Sequence, residues 1–264
     1  QHKTSRNVKK LPYHDELKSF GACFGVSAGY ERPMWFALDG EKAEYEYSYN
    51  YQNWYPSVEF ETNNTLTNVG LYDLSPFSKF EIKSKKAHED LQRICTSNIK
   101  QEPGKCTYTH MLNKDGGIET DLTVVCIDQN HFRIISSAAT RERDKFHIKK
   151  HLSEGVELTD VTDDYCVFGI FGPKSRLLMQ DLSLIDFSNE NFKFANSKYI
   201  EIDGTKIWTQ RLSYVGELGY ELYVKTSNAK QIYEKITEKG KKYNLSNCGM
   251  HALDTMRMDS GFLH

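Results

Sequence analysis

Two glycine-bearing stretches set carboxylates at the ends of strand-like runs, where a backbone with small side chains lets a flat ligand come close. The first is Tyr108-Thr109-His110-Met111-Leu112-Asn113-Lys114-Asp115-Gly116-Gly117-Ile118-Glu119-Thr120-Asp121-Leu122. Its Gly-Gly turn feeds a strand whose opening residue is read as Asp121, a carboxylate at the sheet rim. The second is Arg211-Leu212-Ser213-Tyr214-Val215-Gly216-Glu217-Leu218-Gly219-Tyr220-Glu221-Leu222-Tyr223-Val224, in which Glu221 enters an apolar strand. A carboxylate there must find donors, because burying it unpaired is expensive. Two readings stay open on these residues alone. In one, Gly116-Gly117 is a hairpin turn and the acids are solvated strand ends. In the other, a carboxylate accepts the adjacent ring N–H and exocyclic amine of an aminopyrimidine.

The elements that must hold these residues alternate between strand and helix. Phe80 to Ile82 reads as a strand, and Lys86 to Cys95 as a short amphipathic helix with Leu91, Ile94 and Cys95 on one face. Leu122 to Ile127, the turn Asp128-Gln129-Asn130 and Phe132 to Ile135 make a hairpin with β-prone arms. Val167 to Phe171 is a buried strand closed by Gly172-Pro173, and Ser175 to Leu182 a helix. Asp203-Gly204 between Tyr199–Ile202 and Thr205–Trp208 is the strongest short hairpin signal. Ser227 is the expected cap of a last helix, with Ile232, Tyr233 and Ile236 inward and Gly240 at its end. Residues 1–60 read as irregular and aromatic, with Glu44 to Tyr49 alternating like a strand and the rings packing against another domain. The expected class is α+β, antiparallel sheets with flanking helices, divided into an aromatic-rich linker domain over 1–64 and a second domain over 65–264.

Composition removes several functions. With 36 acidic against 34 basic residues in 264, the chain has no contiguous basic stripe, so nucleic acid is not an expected partner. No run approaches the roughly 20 apolar residues of a membrane span, so no membrane partner is expected either. No Gly-x-Gly-x-x-Gly fingerprint, Walker loop, Gly-x-Ser-x-Gly elbow or His-Glu-x-x-His helix occurs. The six cysteines lack metal-ligand spacing and read as reduced, buried thiols, and no metal is expected. Lys145, His147, Lys149, Lys150 and His151 read as a solvated charged helix face, and Trp208 as core. His110 reads as a satisfied histidine ahead of a pocket residue.

The two stretches resemble the Tyr-Thr-x-Met-Leu-Asn…Gly-Gly-Ile…Asp-Leu and Tyr-x-Gly-Glu-x-Gly-Tyr-Glu blocks of the glycine-cleavage T-protein (aminomethyltransferase) family. Val69 to Phe77, Phe171 to Ser175, and His251 to Arg257 are similar to further blocks in the same order. Phe20-Gly21-Ala22-Cys23-Phe24-Gly25, Tyr30 to Phe36, and Gln52-Asn53-Trp54 resemble the linker region of dimethylglycine and sarcosine dehydrogenases. The resemblance implies the aminomethyltransferase folate-binding fold, with the family's final β-barrel domain and the N-terminal flavin domain both outside these residues. The chain then reads as a piece of something longer.

What the resemblance implies about function follows the residues that match. Asp121 aligns with the family's catalytic aspartate, Glu221 with its pterin-binding glutamate, Tyr108 and Tyr214 with pocket aromatics, and Arg257 with a contact to the folate tail. Ser137 stands where an asparagine is usual, and Leu253 where an arginine is usual. The implied activity is transfer of a carbon, as an N-methyl-derived iminium or formaldehyde, to tetrahydrofolate, giving 5,10-methylenetetrahydrofolate. The implied cofactor is tetrahydrofolate, with FAD confined to a flavin domain in the same or a separate chain. Partners are the folate and the carbon of an N-methylated amine. A cytoplasmic location is expected, or the mitochondrial matrix in a eukaryote. A self-standing aminomethyltransferase or folate-dependent demethylase, and a non-catalytic folate-binding module, are the alternatives.

Overall fold

The computed structural model describes residues 5–263, which form thirteen strands and seven α-helices. The first third of the chain carries α1 (His14–Ser19), β1 (Ala22–Ser27), β2 (Tyr30–Phe36), α2 (Tyr55–Thr67), β3 (Val69–Asp73), β4 (Ser78–Lys83) and α3 (Ala87–Ile94). The middle carries β5 (Cys106–Leu112), β6 (Ile118–Asp128), β7 (His131–Ser136), α4 (Arg141–Lys150), β8 (Leu158–Asp160), β9 (Tyr165–Phe171) and α5 (Ser175–Leu182). The last part carries β10 (Ser197–Ile202), β11 (Thr205–Gln210), β12 (Gly219–Lys225), α6 (Ala229–Gly240), β13 (Leu245–Cys248) and α7 (Met250–Asp259). The class is α+β, as expected. The described chain divides into a larger unit of residues 5–75, 165–194 and 199–263 and a smaller unit of 76–164 and 195–198. Residues 64 and 65 both lie within α2, in the larger unit.

In the smaller unit a five-stranded sheet runs β5-β6-β7-β4-β8, antiparallel throughout. Leu122, Val124 and Cys126 of β6 alternate into a core with Phe80, Phe132 and Ile134, closed by Leu91 of α3 and Ile148 of α4. On the other face Glu81 is buried, 2.6 Å from Arg133 and 3.0 Å from His131. Burial by itself raises the Glu81 carboxyl, but hydrogen bonds from His131 and Arg133 outweigh it and hold the group well below the usual carboxylate range. On α4, Lys149 and Lys150 are exposed while Lys145 reaches Asp160 at 3.4 Å.

The larger unit has a six-stranded sheet in the order β10-β11-β12-β9-β3-β13, in which β13 runs parallel to β3. Phe168 and Ile170 of β9, with Tyr220, Leu222 and Val224 of β12, pack into a core shared with Ile232 and Ile236 of α6. Asp203 (φ 51°) and Gly204 (φ 73°) both take the left-handed conformation that a two-residue hairpin loop needs. Trp208 is core, as expected.

Three local expectations are corrected. Residues 44–50 form no strand; Tyr47, Tyr49 and Tyr51 are exposed, since alternation alone gives the segment no sheet edge to pair with. The stretch read as irregular is ordered in elements over residues 5–60, which hold α1, the β1–β2 hairpin and the start of α2, while residues 1–4 lie outside the described residues. Ser227 does not cap α6; it lies in a 3-10 turn, and its hydroxyl donates to Asn228. Helix α6 ends at Gly240, as expected; the turn continues as a 3-10 segment and the chain reverses at Asn244 (φ 55°). A Cβ at Gly240 would stand 2.5 Å from Leu245, so glycine is needed there for space.

Helix α2 escaped the sequence reading because its buried stripe is Ser57, Glu61 and Thr65, polar where an amphipathic pattern would be apolar. Glu61 joins three elements. Its Oε1 accepts the backbone N–H of Phe36 at the end of β2 and its Oε2 that of Gly249 before α7, both at 2.7 Å. Burial pushes its carboxyl up to about 8, while the two backbone donors pull the other way. The unfolded chain releases that proton near 4.5 and the folded group holds it to about 8. Its contribution to stability is therefore complete below about 4.5 and lost as pH rises through about 8. Glu61→Gln should remove this titration and flatten the pH dependence of the urea midpoint between those values. An unchanged slope would show that Glu61 does not titrate in that window.

Candidate functional site

The Gly-Gly turn of the first stretch is organised by Asn113. Its Oδ1 accepts the N–H groups of Asp115 at 3.0 Å and Gly117 at 2.9 Å, and its own N–H donates to the Gly117 carbonyl at 2.8 Å. Gly116 takes φ 82°. Strand β6 opens at Ile118, so Asp121 is its fourth residue and not its first, paired across the ladder with His110 of β5. The ladder reaches past the expected opening because the β-branched Ile118 and Thr120 suit a pleated strand. Alternation leaves Asp121 exposed while Thr120 and Leu122 are buried. The Tyr108 hydroxyl donates to Asp121 Oδ2 at 3.0 Å, and the Tyr108 ring stands edge-on to His110 at 5.4 Å. Asp121 Oδ1 has no side-chain donor among the described residues, which leaves the carboxylate able to accept a proton from outside the protein.

In the larger unit Glu221 sits in mid-strand, opposite Gly169 of β9 and Gln210 of β11. Tyr220 and Leu222 face the core, so Glu221 and Tyr223 face the other side of the sheet. A Cβ at Gly169 would come within 2.6 Å of the Phe171 ring, and one at Gly219 within 2.4 Å. Both glycines are thus required by Phe171, which lies flat across the strands beside Glu221. Tyr223 Oη donates to Glu221 Oε2 at 2.8 Å, and Tyr223 is the one side-chain partner of Glu221 among the described residues. Burial raises the Glu221 carboxyl and the Tyr223 hydrogen bond opposes the rise.

Tyr214 and Arg257 meet on one short segment. Tyr214, in the loop between β11 and β12, stacks on Phe262 at 5.8 Å and donates to the carbonyl of Leu263. Arg257 of α7 donates from Nε to Asp254 Oδ1 at 2.7 Å and from Nη1 to the Phe262 carbonyl at 3.2 Å. Tyr108 and Asp121 are therefore brought together in the smaller unit, and Tyr214 and Arg257 in the larger one, where Glu221 is instead partnered by Tyr223. Ser137 caps a 3-10 turn by accepting from Ala139 N–H at 3.3 Å, and Leu253 is buried in α7.

Sequence reasoning missed Tyr223 and the anchoring of His251. Tyr223 sits two residues from Glu221, the strand period that puts two side chains on one face, and that spacing was the available signal. His251 Nε2 lies 2.8 Å from Tyr45 Oη and its ring stacks on Trp54 at 5.8 Å, so part of the aromatic stretch is spent on α7. Burial lowers the His251 imidazole. All six cysteines are buried free thiols, and burial pushes Cys248 up to about 12, away from reactivity. Among the described residues there is no group of three or more metal-ligating side chains, and no helix long and apolar enough to cross a membrane.

Three comparisons bear on this geometry. The family model described as the GCVT N-terminal domain matches residues 13–264. The 4-methylaminobutanoate oxidase (formaldehyde-forming) of Paenarthrobacter nicotinovorans is 36% identical over 265 residues, covering 100% of this chain and 32% of its own length. The mitochondrial dimethylglycine dehydrogenase of Rattus norvegicus is 33% identical over 241 residues, covering 90% and 28%. The chain thus spans about a third of the length of these curated relatives. The crystal structure of the glycine cleavage system aminomethyltransferase T from Bartonella henselae superposes with a TM-score of 0.79 at 21% identity, over 98% of this chain and 64% of that one. That likeness establishes the shared fold.

Replacing Tyr108 by Phe removes a hydrogen bond between two exposed groups, so stability should change by less than about 0.5 kcal/mol in thermal denaturation. A loss of more than about 2 kcal/mol would make the Tyr108–Asp121 contact a structural one.

Proposed function

The chain belongs to the GCVT N-terminal domain family, and from that footing we propose that it binds tetrahydrofolate and transfers to it a carbon taken from an N-methylated amine. Glu221 is the observation that carries the reading. It is a carboxylate set among buried strands, one oxygen held by Tyr223 and the other without a donor among the described residues, on a face bounded by glycines and an aromatic ring. An aminopyrimidine presents two adjacent donors that such a group accepts in a single plane. The residues therefore fit a reduced pterin. Relatives named as an oxidase of 4-methylaminobutanoate and a dehydrogenase of dimethylglycine support a methylated amine as the source of carbon. Oxidation of that amine is assigned to a flavin-bearing part outside these 264 residues, since their sequence lacks a dinucleotide fingerprint.

Tetrahydrofolate, when bound, would supply the two amines that take up the one-carbon unit, giving 5,10-methylenetetrahydrofolate with release of the demethylated amine from an iminium donor, or of water from formaldehyde. The chain's own residues bind and move a proton. Glu221 fixes the ring by its two donors, which converts a bimolecular encounter into a positioned one. Asp121 accepts the proton released as the amine attacks, and its charge favours the cationic carbon donor. Tyr108 donates to Oδ2, leaving Oδ1 as the basic atom. Tyr214 walls the pterin site, and Arg257 is assigned to the carboxylates of the folate tail.

Changing Asp121 to Asn in the full-length protein keeps shape and removes charge and base. Folate binding and amine oxidation should persist while methylene transfer falls by about 10²–10⁴-fold and free formaldehyde accumulates. Normal production of methylenetetrahydrofolate by this variant would return Asp121 to the role of a strand residue. Glu221→Ala should weaken tetrahydrofolate binding by about 1–3 kcal/mol in calorimetry, the usual loss when a buried partner is removed. Unchanged affinity would remove Glu221 from the site.

A further inference from the structure

Tyr223 is almost wholly buried, and its hydroxyl is nonetheless placed 2.8 Å from the outer edge of a partly open carboxylate. A phenol buried for packing alone would be replaced at no loss by Phe, since the ring already fills its place beside Trp208 across the ladder. The hydroxyl does something the ring does not. Glu221 has a flexible stem, and neither strand neighbour restrains it: Gly169 has no side chain, and Gln210 is an uncharged amide. On its own, burial would drive the carboxyl toward its protonated form, in which one oxygen becomes a donor and no longer accepts from a ligand.

Resting on the assignment of Glu221 to the folate site, we propose that Tyr223 is the positioning residue of that site: its hydroxyl pins Oε2, presents Oε1 to the ligand and keeps the carboxylate in its acceptor-only form. Oε2 retains a second lone pair, so both oxygens remain able to receive the paired donors of an aminopyrimidine. The groups able to influence Glu221 are few. Gly169 on β9 and Gln210 on β11 do not titrate, and Tyr223 is the titratable group that contacts it. The pH response at Glu221 therefore rests on its own carboxyl and the Tyr223 phenol. Ligand binding needs the ionised carboxylate, so affinity is lost as pH falls through the Glu221 value, and removing the phenol donor moves that loss to higher pH.

The test measures the affinity of full-length protein for tetrahydrofolate, kept anaerobic, across pH for the parent, Tyr223→Phe and Glu221→Gln. For Tyr223→Phe, affinity at neutral pH should drop about tenfold, the acid limb should move upward by about one pH unit, and the melting temperature should stay close to that of the parent. For Glu221→Gln the acid limb should disappear. If Tyr223→Phe leaves both affinity and limb unchanged while Glu221→Gln loses binding, Tyr223 is a packing residue and the folate site stands without it. If neither variant alters binding, Glu221 is not in the site, and both readings fall together.

Discussion

Alternation along β12 is the constraint on which the rest of the larger unit depends. Tyr220, Leu222 and Val224 must enter the core beneath α6, and a strand's period of two then obliges Glu221 and Tyr223 to face the other way. Nothing in the strand permits a compromise, because a slip of one residue would carry the Glu221 carboxylate into the core and Tyr220, Leu222 and Val224 out of it. The neighbouring strands are built around this consequence. Gly169 and Gly219 leave room for Phe171 to lie across the sheet, and an added methyl at either would meet its ring. A sheet face on which Glu221 stands beside Tyr223 and the Phe171 ring is the physical result.

The same rule, applied to a hairpin, sets Asp121. Leu122 and Val124 hold β6 against its core, so Asp121 and its ladder partner His110 look outward, and Tyr108, two residues along β5, reaches the carboxylate. Asn113 fixes the turn that sets this register by gathering two N–H groups on one oxygen. Among the described residues neither carboxylate is held by a cation. Each has one phenol donor, which orients an acid without neutralising it, whereas Glu81, held by Arg133 and His131, is locked by charge and suited only to structure.

Sequence made the sheet-forming parts legible because their signals are local. Asp203-Gly204, the β6–β7 hairpin, the helix at 175–182 and the buried strand before Gly172 were all read from period and turn chemistry, and all are present. What escaped depends on contacts distant in sequence. Helix α2 buries polar residues because Glu61 caps the ends of β2 and α7, partners 25 and 188 residues away. The tyrosines after Glu44 alternate like a strand, yet only a partner strand could make them one. Asp121 and Glu221 stood out through glycine and charge within their own stretches, but Tyr223 gained meaning only when β12 was seen to turn both side chains to one face.

Membership of the family gives the fold and the class of chemistry, while the place of the ligand rests on one carboxylate. A crystal structure of the full-length protein soaked anaerobically with tetrahydrofolate examines that place most directly. The pterin's ring N–H and exocyclic amine are expected within hydrogen-bonding distance, about 2.7–3.2 Å, of the Glu221 carboxylate, with Tyr223 still donating to Oε2. An ordered pterin bound elsewhere, with Glu221 left free of it, would contradict the account.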